Sequence, residues 1–271
     1  MRGLLFPVLF FLSGTVYAED RQWPGPEERP DTTSPQAPDT AKKEGMESLD
    51  QRLSQAVRDF DDGALVKITE EAEALPGIPG SARGELFLAK CFLARCDLRR
   101  FMRKTYVLER KRDKELRKED ATLAEAGLVH AEAALSLEPR SSECHRVTGE
   151  LHIHQITGPI AGFRYGPKGR QHIEQALEID PKNAEARRAI GLMYLYNPAI
   201  NGGDPKKAAA TFDQAIQLGG DDRAYVLAGR AYRKIEDIET AKKRFQAALD
   251  TNPGNREAKE LLSQLQSGGQ Q

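Results

Sequence analysis

The sequence predicts an all-α fold: a right-handed solenoid of antiparallel helix pairs, with enlarged turns inside some pairs and a C-terminal capping helix. Three observations predict it. Tyr225, Gly229 and Tyr232 share one helical face, and Ala241, Phe245 and Ala248 recur at i, i+4 and i+7 on a following helix that Pro253 ends. The same two-helix pattern returns upstream around Gly191 and Gly149. Beyond it, Ala258, Leu261, Leu262 and Leu265 form one last apolar stripe. A stack of repeats needs such a cap, because its final pair would otherwise leave an apolar face in water.

From the N-terminus, Arg2, the apolar run 4–12 and Val16-Tyr17-Ala18 read as a secretory signal over residues 1–18. The run is shorter than the roughly 20 residues that span a bilayer, so an exported product, periplasmic or secreted, is expected, with a retained anchor as the weaker alternative. No Cys stands at the cleavage site, which leaves bacterial lipid attachment unsupported. Residues 19–44, rich in Pro, Glu, Asp, Ser and Thr, read as a disordered linker. The repeat domain is expected over 45–267, with a flexible tail at 268–271.

Within that domain Leu49, Leu53, Val57 and Phe60 mark one helix, and Leu65, Ile68, Ala72 and Leu75 a second, turned by Asp61-Asp62-Gly63. Residues 83–138 read as one over-long hairpin. Its outgoing stripe runs through Leu86, Ala89, Phe92, Leu98, Phe101, Met102, Thr105 and Leu108, and it returns from near Leu116. The pairs that follow are marked by a mid-helix glycine, which costs about 1 kcal/mol against Ala and is therefore expected where another helix comes close. The glycines are 42 and 38 residues apart. The extra length over a roughly 34-residue repeat falls between the two helices of a pair, in TGPIAGFRYGPKG (157–169) and YNPAINGGDPKKA (196–208).

The glycine–aromatic–alanine set resembles the tetratricopeptide repeat (TPR) family, from about residue 83 to 265. That resemblance implies a scaffold that holds another molecule, with the first helix of each pair lining a concave groove. By the family's pattern, positions three before and one, four and five after each glycine face the groove. Here these are Arg146, Glu150, Ile153 and His154, then Arg188, Leu192, Leu195 and Tyr196, then Val226, Arg230, Arg233 and Lys234. The family's carboxylate clamps also use Asn there, and no Asn occupies these slots. The binding candidates are therefore Arg146, Arg188, Leu192, Tyr196, Arg230, Arg233 and Lys234, a mixed apolar and cationic groove for a protein or peptide partner of acidic character. Export and enlarged turns also resemble the T-component proteins linked to tripartite periplasmic transporters. This implies the alternative of a small anionic or hydrophobic ligand; a self-assembling structural subunit is a third possibility.

Other candidate chemistry is thin. The formal net charge of −1 gives no bulk reason to expect nucleic acid. His145 and His152 occupy the slots of Tyr225 and Tyr232 and read as core-filling rings, leaving His154 to face outward, so no metal or other cofactor is expected. Phe163, Arg164, Tyr165 and Lys168, expected on a loop, are candidates to touch a ligand or the neighbouring turn at Tyr196-Asn197-Pro198. The charged stretch 99–119 alternates Arg and Lys with acids and reads chiefly as a solvated face, with an anionic membrane or acidic partner as the other use. Cys91, Cys96 and Cys144 read as small buried thiols, with a bridge from Cys144 to one of the others left open. No nucleophile elbow, zinc-protease helix or nucleotide fingerprint is present, so no enzyme is expected.

Overall fold

The computed structural model describes residues 39–59, 61–105 and 110–267. The expected leader, the expected linker up to residue 38 and the expected tail from residue 268 lie outside the described residues. So do Phe60 and the side chains of Met102, Thr105 and Leu108, which fall on the expected stripes. Among the described residues the secondary structure is eleven α-helices and one short 3-10 turn.

The first pair is α1 (Asp39–Asp59) and α2 (Asp62–Ala74). α1 begins inside the stretch expected to be linker. Between the two, the Asp61 carboxylate accepts the Ala64 N–H at 2.9 Å and so satisfies an N-terminal donor of α2. The long hairpin is α3 (Ala82–Thr105) and α4 (Arg110–Leu137), with α4 starting earlier than Leu116. Asp120 on α4 is 1% exposed. It accepts from Arg99 Nε at 2.6 Å and pairs with Arg103 Nη2 at 2.7 Å. Part of the stretch expected to be a solvated face is thus an internal tie, because a buried carboxylate needs cationic partners. Arg117 and Asp113 do form the expected exposed i, i+4 pair, at 2.8 Å.

Three pairs follow: α5 (Ser142–His154) with α6 (Pro159–Ile179), α7 (Ala184–Tyr196) with α8 (Pro205–Gln217), and α9 (Asp222–Lys234) with α10 (Ile238–Thr251). α11 (Arg256–Ser267) closes the stack, burying Ala258 and Leu261 against Val226 and Phe245. Six of these helices start behind a side chain that takes up their free N–H groups: Ser141, Asn183, Asp204, Asp221, Asp237 and Asn255.

The glycines sit where close approach demands them. A Cβ on Gly191 would lie 2.5 Å from the Phe212 ring, and one on Gly229 2.5 Å from the Phe245 ring. At Gly149 it would lie 2.7 Å from the Gly169 carbonyl oxygen, so α5 and α6 cross backbone against backbone.

The extra length is absorbed in two ways. After α7 it is a turn: a 3-10 segment (Ala199–Asn201), then Gly202 at φ 83°, then Asp204 capping α8. After α5 it is not. Residues 159–168 are helical and extend α6 at its N-terminal end, with Pro167 inside the helix. Phe163, Arg164, Tyr165 and Lys168 are therefore on a helix, not on the expected loop. Pro159 opens that helix at a position where its missing N–H costs nothing. Cys91, Cys96 and Cys144 are buried free thiols.

Candidate functional site

The first helices of successive pairs pack side by side, α3 on α5, α5 on α7 and α7 on α9, and their shared face is concave. The stack coils tightly enough that α3 meets α9 across that face. Arg223, in the first turn of α9, donates to Asp97 Oδ2 of α3 at 2.5 Å, across 126 residues of chain. His154 Nε2 lies 3.0 Å from the other Asp97 oxygen. His154, expected to point outward, is buried because it joins this contact.

The inner face of the coil holds a half-open cavity of about 420 Å³. Leu53 and Val57 of α1, Leu93, Leu98 and Phe101 of α3, Leu192 of α7, and Val226 and Leu227 of α9 give it apolar walls. Its polar lining is a chain of ion pairs. Arg146 Nη1 meets Glu150 Oε1 at 2.5 Å, and its other Nη meets Glu143 Oε1 at 2.7 Å. Arg188 pairs with Glu150 at 3.2 Å and with Glu185 at 2.9 Å. Lys90 pairs with Glu143 at 2.9 Å, and Arg230 pairs with Glu257. Arg146, Glu150 and Arg188 are each at most 5% exposed.

Burial raises the Asp97 pKa, but Arg223 and His154 outweigh it and hold the carboxylate well below its ordinary value. Glu143 is held down in the same way, burial opposing and Arg146 and Lys90 prevailing. Burial works against the Arg146 charge, and Glu150 with Glu143 keeps that guanidinium ionised.

Five of the sequence candidates line the cavity: Arg146, Arg188, Leu192, Tyr196 and Arg230. Two do not. Lys234 donates to the Leu195 carbonyl at 2.7 Å, and Arg233, a turn beyond Arg230, is off the cavity wall. Three of the cations expected to greet an acidic partner, Arg146, Arg188 and Arg230, already meet carboxylates of this chain.

Asp97 and Arg223 escaped the groove rule. Asp97 lies on α3, which has no glycine marker to set the register. Arg223 is legible once the α9 stripe is extended backward, because 223, 226 and 230 share a face. Arg58 and Arg100, also on the cavity lining, were missed for the same lack of a marker. Arg58 donates to Gln55 Oε1 at 2.8 Å, and neither arginine ion-pairs with a carboxylate among the described residues.

A second cluster lies outside the cavity. His145 Nε2 is 3.1 Å from the Pro139 carbonyl, which can only accept, so in the neutral ring Nε2 carries the proton. His145 Nδ1 then accepts from His172 Nδ1 at 3.1 Å. His172 stacks on His152, and His152 on Tyr165, with centroids 5.8 and 6.4 Å apart. His152 is an interior ring as expected, whereas His145 is only half-buried, its Nε2 at the exposed Pro139 carbonyl. His172 completes a stack that the sequence pattern did not reveal. Burial, and then His145, pulls the His172 pKa down to about 4, and burial lowers that of His152.

Residues 160–267 match the family model described as TRAP transporter T-component. The fold is an all-α, TPR-like solenoid. Similar solved structures include a thermophilic TPR protein of Thermus thermophilus, 18% identical over 68% of this chain and 98% of that one, with a TM-score of 0.46. YrrB, a TPR protein with an unusual peptide-binding site, is 15% identical over 77% of this chain and 96% of its own, with a TM-score of 0.38. Pseudomonas aeruginosa pilF is 16% identical over 83% and 98%, with a TM-score of 0.39. No curated protein matches the chain. Among the described residues no helix is long and apolar enough to cross a membrane.

Proposed function

We propose that this chain is an exported, non-enzymatic scaffold whose concave cavity holds a small amphiphilic ligand, as an accessory component of a transporter. The cavity carries this reading. At about 420 Å³ it falls within the range of small-molecule sites, roughly 300–1,000 Å³. Apolar walls suit a hydrocarbon body, and the ion-paired lining is already neutralised, so the interior asks for no full charge. Among the described residues Arg58 on α1 and Arg100 on α3 are lining cations without an ion pair, as Asp221 and Asp222 at the start of α9 are lining carboxylates without one, and the two arginines favour an acid group at their end of the ligand. The match of residues 160–267 to a transporter T-component model supports the same reading, and export rests on the leader at residues 1–18.

Native mass spectrometry of protein purified without denaturation is expected to show a retained small molecule, lost in Leu192→Trp, which fills the cavity. Medium-chain carboxylic acids are expected to raise Tm more than the matching alcohols, and Arg58→Gln with Arg100→Gln to remove that difference. No retained mass and no thermal shift with either series would sink the proposal. A protein or peptide laid along the concave face is the second reading, favoured by the scaffold architecture. Its acidic character loses the support of Arg146, Arg188 and Arg230, which are internally paired. A pull-down from an envelope fraction tests it.

A further inference from the structure

The three most exposed large apolar side chains among the described residues are Ile200, Ile160 and Phe163, at 92%, 87% and 79%. They fall in the two segments that lengthen consecutive repeats: the N-terminal extension of α6 and the 3-10 turn before α8. The segments are neighbours, since a Cβ on Gly202 in the turn would lie 3.6 Å from the Arg170 guanidinium of α6. Ile160 and Phe163, at i and i+3, share a face of the extension.

Charge on this edge is one-sided. Residues 159–170 contain Arg164, Lys168 and Arg170 and no acid, and residues 197–207 contain Lys206 and Lys207 against Asp204. Arg170 pairs with Glu174, and Lys207 approaches Asp204 at 3.8 Å. Arg164 lies over the Tyr165 ring, and Arg164, Lys168 and Lys206 point into water with no ion pair among the described residues. A chain of net charge −1 has gathered cations around its most exposed apolar tips.

The extension is also poorly sustained from within. Gly162, Gly166 and Pro167 are weak helix formers, and no residue from 159 to 168 is buried. Continuity with the packed part of α6 and the stacking of Tyr165 on His152 hold it within the chain, and burial of its exposed tips from outside would stabilise it further.

We propose that this edge, the start of α6 with the neighbouring 3-10 turn, docks on an anionic lipid surface. Ile160, Phe163 and Ile200 enter the headgroup–acyl boundary while Arg164, Lys168 and Lys206 meet the phosphates. Exposed apolar tips ringed by cations fit an anionic bilayer interface, where each tip can insert on its own while the cations meet phosphates. The cavity is elsewhere on the solenoid, so this proposal does not depend on what the cavity holds.

The test uses the full chain with phosphatidylcholine vesicles, with and without phosphatidylglycerol. The chain has a single Trp, Trp23, so Phe163→Trp adds an indole whose emission is read by difference from the wild type. That emission is expected to shift to the blue with anionic vesicles and not with neutral ones. A variant with Ile160, Phe163 and Ile200 changed to Ser, and another with Arg164, Lys168 and Lys206 changed to Glu, are each expected to lose about tenfold or more in affinity for anionic vesicles. Their helical circular dichroism is expected to stay unchanged, because the altered side chains are exposed and, apart from Arg164 over the Tyr165 ring, form no hydrogen bond, ion pair or ring contact among the described residues. The N-terminal apolar run is common to all these chains, so differences among them report the edge. An indole at 163 that stays in water with both vesicle types, or unchanged affinity in both variants, overturns the proposal. So does capture of an acidic protein that the variants abolish while vesicles leave the indole unaffected.

Discussion

Glu150 is the carboxylate shared by Arg146 and Arg188, at 2.5 and 3.2 Å, and all three side chains are at most 6% exposed. Glu150→Gln keeps the shape and removes the charge. Breaking a buried pair by deleting one partner costs about 3–5 kcal/mol, because the remaining charge stays out of water uncompensated. Arg146 keeps Glu143 and Arg188 keeps Glu185, which places the expected loss near the lower figure, about 3 kcal/mol. For a domain of this size each kcal/mol moves Tm by about 2–4 °C, so a fall of about 6–12 °C is expected in thermal circular dichroism or calorimetry. The cycle with Arg188→Met is expected to be non-additive, the double variant being less destabilised than the sum of the two single ones. If Glu150→Gln melts with the wild type and the cycle is additive, the guanidiniums are neutralised by something other than this network. The argument for an internally balanced cavity then falls.

Acid is expected to weaken the fold between about pH 6.5 and 4. His172 takes its proton near 6.5 when unfolded and only near 4 when folded, so the unfolded state binds more protons in that window and stability falls as pH falls. His172→Gln is expected to flatten the dependence of Tm on pH there, and an unchanged slope would reject the stacked-ring account. Gly229→Ala gains about 1 kcal/mol of helix propensity but pushes a methyl to 2.5 Å from the Phe245 ring, where overpacking costs about 1–3 kcal/mol. A net loss is expected in urea unfolding. Gly45→Ala, with nothing within 4 Å, is the control and is expected to gain up to about 1 kcal/mol. Burial pushes the Cys91 thiol up to about 12 and raises Cys96 and Cys144 as well. Thiol reagents are expected to label the native chain far more slowly than the urea-unfolded one, and rapid native labelling would mean that these helices open locally.

The repeat signal was legible because it is a signal about packing. Gly191 and Gly229 lie under Phe212 and Phe245, and each pair is spelled out within one repeat. Local spacing captures that kind of contact. The long hairpin and the cap were legible for the same reason. The α6 extension was misread as a loop because Gly162, Gly166 and Pro167 are turn residues by local preference. Continuity with the well-packed helix beyond Gly169 overrides that preference. The cavity's chemistry was half legible. Arg146 and Arg188 were placed on the correct face by register. Their neutralisation depends on Glu143 and Glu185, which follow from i, i+3 spacing, and on Glu150 reaching across 38 residues to Arg188. The Asp97 contact with Arg223 is longer still, and no periodicity in the chain encodes it.

That contact changes how the solenoid comes apart. An open array of repeats frays from its ends, each unit depending only on its neighbours. Once α3 grips α9 through Asp97 and Arg223, the helices from α3 to α9 form a closed circuit, and while α1–α2 and α11 can still fray outside it, no pair inside it can separate without breaking the grip. Assembly then waits on the meeting of distant segments, which slows folding, and deleting either α3 or α9 removes the partner that holds the other.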